Sequence, residues 1–124
     1  MNTDVNRYNN YLIFHESSEH GHWVTITYQA ETINQSVFPI SQPYVTRHYQ
    51  SADQARMHAL GWIECMNYYE KCKQIPNDNR DYYENRYRER LDEFRNNLPV
   101  FNNKLELAYS EGWETKLKEL NNIN

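Results

Sequence analysis

Only three glycines occur in this chain of 124 residues, at positions 21, 61 and 112. A phosphate-cradling loop needs several glycines close together, so the glycine-rich nucleotide motifs are excluded. No Gly-x-Ser-x-Gly elbow occurs, so no strained nucleophile is marked. Cysteine is as sparse, with Cys65 and Cys72 alone. Both fall in a stretch that reads as helix, where they stand roughly 10 Å apart along the axis. That is beyond the ~7 Å reach of a disulfide, so they read as small, unbridged apolar side chains. No run approaches the ~20 apolar residues of a membrane span. The start, "MNTDVNRYNN", has no positive opening followed by an apolar stretch, so no secretory signal is read. The expectation is a cytoplasmic protein with no membrane partner.

Positive charge is missing from the first third. Before residue 47 the only Lys or Arg is Arg7, against Asp4, Glu16, Glu19 and Glu31, and the whole chain carries a formal charge of -4. A nucleic-acid binder usually carries a basic face, and this third cannot supply one. What abounds instead is asparagine, 16 residues, and tyrosine, 11 against 4 phenylalanines. Tyrosine suits half-buried positions and interfaces, with an apolar body and a polar tip.

Residues 11–16 and 23–30 are β-branched and aromatic, and read as strands. The second alternates, with Val24, Ile26, Tyr28 and Ala30 on one face and Trp23, Thr25, Thr27 and Gln29 on the other. The short polar link "SSEHGH", with Gly21 giving turn geometry, makes the pair a hairpin. Pro39 and Pro43 keep the next stretch out of a central strand, although 37–40 suits a sheet edge. "YVTRHY", 44–49, reads as a third strand.

Ser51 with Gln54 forms a capping box that opens a helix from Ala52 to about Lys73, stopped by Pro76. Ala55, Ala59, Trp62, Ile63, Met66 and Tyr69 share one face of it. Met57, Gly61, Cys65, Tyr68 and Cys72 form a second stripe roughly opposite. A helix apolar on two sides is sandwiched, here between the sheet and later helices. Gly61 and Cys65 would admit a close neighbour. A second helix, about 79–97, has the stripe Tyr83, Tyr87, Leu91, Phe94 and Leu98, flanked by arginines expected to snorkel. Residues 102–121 read as one bent helix or as two, broken at Gly112. "GWIE" at 61 and "GWET" at 112 look alike, with no match around them.

The stretch "HESSEHGH", 15–22, holds three of the five histidines. Zinc would need three or four convergent ligands of this kind. The plainer reading is a solvated hairpin tip that turns positive below about pH 6.5, and that is the expectation. No residue is assigned a catalytic, metal or cofactor role.

The order "WVTITYQA…YVTRHYQSADQARMHALGWIECM" is similar in layout to small β3-α nucleic-acid-binding domains, such as the AP2 and double-stranded-RNA-binding types. The likeness covers about half the chain and implies a sheet-plus-helix fold with nucleic acid as ligand. The RNA-binding type opens its helix with clustered lysines, where this chain has "SADQARMH". The AP2 type carries arginines on its sheet, where this chain has Arg47.

The sequence thus reads as one α+β domain over 1–124. A three-stranded antiparallel sheet packs against one long helix within 1–75, and two or three further helices follow within 76–124. The function read is a non-enzymatic, protein-binding regulator or inhibitor that occludes a partner surface. Its anchors are Trp23, Tyr44, Arg47, Tyr82, Arg86 and Arg90, the side-chain types that carry interfaces. The partner is another protein or protein complex, or a second copy of the chain. A small acidic chain without site chemistry suits an accessory protein of a phage or mobile element. The alternative is nucleic-acid binding by the arginine-rich helix 80–95. A third is a metal or hydrolytic protein built on the histidines of 15–22.

Overall fold

A computed structural model describes residues 4–28 and 43–122. Its strands are β1 (Asp4–Tyr8), β2 (Tyr11–Ser18), β3 (Gly21–Tyr28) and β4 (Tyr44–Val45). Its helices are α1 (Ala52–Cys72), α2 (Arg80–Asn97) and α3 (Asn103–Asn121). The strands form one antiparallel sheet in the order β1-β2-β3-β4. The α+β class holds, with one strand more than the sequence suggests. β1, "DVNRY", has no apolar run to announce it. It is set by the Asn9-Asn10 turn, where Asn9 takes a left-handed φ of 55° that asparagine tolerates. The expected edge segment at 37–40, and Gln29 and Ala30 of the expected second strand, lie outside the described residues.

Alternation decides which face of the sheet is inside. Tyr11, Ile13, Val24 and Ile26 are buried and face α1, with Tyr11 edge-on to Trp62. The 44–49 strand is shorter than expected: only Tyr44 and Val45 pair regularly with β3, at Ile26 and Thr25. Thr46 then bonds Val24 through both its backbone N–H and its hydroxyl oxygen, and Tyr49 bridges His22.

α1 begins where its capping box places it, with the Gln54 N–H donating to the Ser51 hydroxyl. It ends at Lys73 in the left-handed region, whose N–H returns to the Tyr69 carbonyl. The sandwich expected of it is observed: one side lies on β2 and β3 and the other on α3. α3 is one continuous helix. Gly112 is not a break in it but a contact. A Cβ there would lie 1.9 Å from the His58 carbonyl oxygen, and one at Gly61 would lie 2.2 Å from that of Tyr109. The pairings Gly61 with Tyr109 and Gly112 with His58 run in opposite senses, so the crossing is antiparallel. The two "GW" pairs meet at it from the two helices.

α2 stands farther off, held by long side chains. Tyr87 and Phe94 reach Tyr109, Tyr87 also reaches Trp113, and Tyr82 meets Tyr68. Tyr83, Leu91 and Phe94 of its expected stripe are buried, but Leu98 is exposed.

Candidate functional site

The outer face of the sheet is built by the residues that alternate with the core. Register places Val5, Phe14, Thr25 and Val45 in one row across all four strands. Leu12 pairs Thr27 on one side of that row, and Glu16 pairs Trp23 on the other. Val5 and Val45, at the two ends, are 52% and 54% exposed. α1, the helix packed along the sheet, lies on the opposite face. Among the described residues no helix covers this one.

Trp23 lies on this outer face, half-buried, with its ring 4.8 Å from that of His48. Arg47 sits beside it in sequence and stacks over Tyr49 at 4.2 Å, while its Nη2 donates to Glu111 at 3.1 Å. Tyr44 belongs to the interior side, stacked on Trp62 at 4.9 Å. Tyr82 and Arg86 are a pair on α2, with the guanidinium 5.2 Å from the ring centre. The six expected anchors therefore fall on two regions, β3–β4 and α2.

Arg90 does not snorkel. It turns inward to Glu64, a residue only 3% exposed. Its Nε and Nη2 donate to the two carboxylate oxygens at 2.8 and 2.7 Å. Tyr8 and Tyr109 donate their hydroxyls to the same carboxylate at 2.9 and 2.6 Å. Burial, then Glu64, raises the pKa of both phenols, so both remain donors. Three further arginines of α2 are also matched: Arg86 with Glu89, Arg88 with Glu84, and Arg95 with Asp92 and Glu106. These carboxylates offset the positive charge that a nucleic-acid backbone would otherwise meet along this helix. The Glu84–Arg88 pair was legible as i,i+4 spacing. The Glu64–Arg90 pair, 26 residues apart, was not.

A second buried polar chain centres on His58, 3% exposed. Its Nδ1 lies 2.6 Å from the Tyr49 hydroxyl and its Nε2 2.8 Å from that of Tyr44. The Tyr49 O–H donates to Glu111 at 2.8 Å, so the Tyr49 oxygen accepts from Nδ1–H. In the neutral ring Nε2 is then the acceptor, and Tyr44 donates to it. This directional chain requires a neutral imidazole, and burial lowers the His58 pKa to about 4. The pKa is depressed on folding, so the stability it confers is full above the unfolded value of about 6.5. It is lost as pH falls through 4. Acidification from pH 7 to below 4 should remove about 3 kcal/mol through this group. NMR titration of the His58 ring checks it, and a midpoint near 6.5 would refute it.

The histidines of 15–22 do not form a solvated tip as a set. His20 is exposed at the turn, but His15 is buried on the inner face. His15 Nε2 and His22 Nδ1 are 3.0 Å apart, with the rings stacked. Burial, first among the causes, lowers the His15 pKa. His15 already falls within the expected strand 11–16, and alternation along β2 puts it on the buried face with Tyr11 and Ile13, away from the turn that carries His20. Among the described residues no group of three or more His, Cys, Asp or Glu could hold a metal ion. No described helix is long and apolar enough to cross a membrane. Compared with known proteins, the chain matches no family model, no curated protein and no solved structure.

Proposed function

We propose that the chain is a protein-binding regulator or inhibitor that acts without catalysis, by laying the outer face of its sheet over a working surface of its partner. The observation that carries this reading is the row Val5, Phe14, Thr25 and Val45, apolar or threonine throughout and exposed at both ends. A sheet face turned to water is ordinarily polar. A contiguous apolar one marks an interaction site. Trp23, with His48 and Arg47 beside it, extends the face with side chains suited to anchor an interface. The reading places the protein in the cytoplasm, as an accessory protein of the small kind that phages and mobile elements carry.

The test is the double variant Val5→Glu with Val45→Glu, since both side chains are more than half exposed. Melting should stay within ~0.5 kcal/mol of the parent. A partner captured from the native host, whose own activity the parent blocks, should bind the variant at least tenfold more weakly and escape the block. Trp23→Ala should act in the same direction. Undiminished binding and inhibition by the double variant would refute the proposal.

A further inference from the structure

Between the β1–β2 turn, the C-terminal half of α1 and α2 lies an open cleft of about 820 Å³. We infer that it binds a neutral polyhydroxylated ligand, a short saccharide. The inference is independent of the outer sheet face.

Its floor is the Glu64–Arg90 pair. The Glu64 carboxylate accepts four hydrogen bonds, which fills its acceptor positions. It is therefore spent as a base, a nucleophile or a metal ligand. Arg90 is not spent. Nε and Nη2 each give one N–H to Glu64, and Nη1 gives one to Glu93. A guanidinium has five N–H donors, so two remain on a side chain that is 25% exposed and lines the cleft. Stacking over Phe94 at 4.5 Å holds it still. These are donors fixed in place before a ligand arrives, which limits the ordering cost of binding.

The walls add groups of both kinds. Asn10 and Asn67 line the cleft, and each carboxamide is a donor and an acceptor. Among the described residues neither side chain has a partner. The Tyr8 and Tyr68 side chains line the same cleft, with the Lys71 ammonium 5.9 Å from the Tyr68 ring centre. Small-molecule pockets are usually lined mainly by apolar side chains; this one is lined by amides, carboxylates and phenols. Charge narrows the choice further. Glu70 and Glu93 oppose a phosphate, and Lys71 and Arg90 oppose a simple cation. A sugar suits what is left. Vicinal hydroxyls can each give and take a hydrogen bond with carboxamides and guanidinium, while the C–H face of the ring packs on tyrosine.

The experiment is titration of the isotope-labelled protein with maltotriose, cellotriose and chitotriose, with inorganic phosphate and spermidine as charged probes, following backbone amides by NMR. At least one trisaccharide should give saturable shifts confined to residues 8–10, 64–71 and 90–93. Asn67→Ala should weaken that binding about tenfold with melting unchanged, the equivalent of one lost hydrogen bond. The Val5→Glu, Val45→Glu variant should bind the sugar as the parent does, so this inference and the outer-face reading fail separately. The inference is overturned if no trisaccharide shifts those amides, if Asn67→Ala leaves binding unchanged, or if phosphate or spermidine saturates the same amides instead.

Discussion

Glu64→Ala should destabilise the fold by about 3–5 kcal/mol, the cost of breaking a buried ion pair from one side. The substitution strands the Arg90 guanidinium and leaves the Tyr8 and Tyr109 hydroxyls without their acceptor. Tyr109 is fully buried, so its hydroxyl cannot turn to water in compensation. A domain of this kind has about 5–15 kcal/mol in total, so the variant sits near the edge of folding. Urea denaturation measures the loss directly. With a slope of about 1–3 kcal/mol per molar, the midpoint should fall by at least 1 M. Glu64→Ala combined with Arg90→Ala should cost clearly less than the two single losses together, because the second removes the charge that the first strands. A Glu64→Ala loss below 1 kcal/mol would show that the pair is not the anchor described.

The second large effect runs against helix propensity. In an exposed helix interior, glycine to alanine stabilises by about 1 kcal/mol. Gly112→Ala and Gly61→Ala should each do the reverse, by about 3 kcal/mol or more. The new methyls would meet backbone carbonyl oxygens at 1.9 and 2.2 Å, and a carbonyl fixed in a helix cannot swing aside. The two helices would have to move apart, opening gaps around Cys65 and Ala108, both fully buried. Overpacking of a well-packed core costs typically 1–3 kcal/mol, more where the backbone shifts. Thermal or urea unfolding of each variant checks it, and a variant as stable as the parent would overturn the close-crossing account.

Features with a short repeat were legible in the sequence. The period-two pattern of 23–28 and the Ser51 cap need only a few consecutive residues to define them, and the structure has both. β1 escaped notice because Asp4, Asn6 and Arg7 carry no strand signal; pairing with β2 decides their state. Gly112 reads locally as a helix flaw, and only the opposing His58 carbonyl explains it. The buried polar residues were the least legible. Glu64 and His58 look like surface positions of α1 until partners from β1, β4, α2 and α3 are brought against them. The exposed apolar row was half legible: the sequence put Trp23 and Thr25 on the outer face, but Val5 and Val45 join it only through register.

One carboxylate on α1 holds a tyrosine from β1, an arginine from α2 and a tyrosine from α3. Its consequence lies in the order of assembly. A partly folded chain that has docked α1 against α3, but not yet β1 and α2, has made one of the carboxylate's four hydrogen bonds. The other three come only when β1 and α2 close over it. The four elements are thereby coupled, and their docking is favoured as a single all-or-none event, as the two-state behaviour of small domains requires.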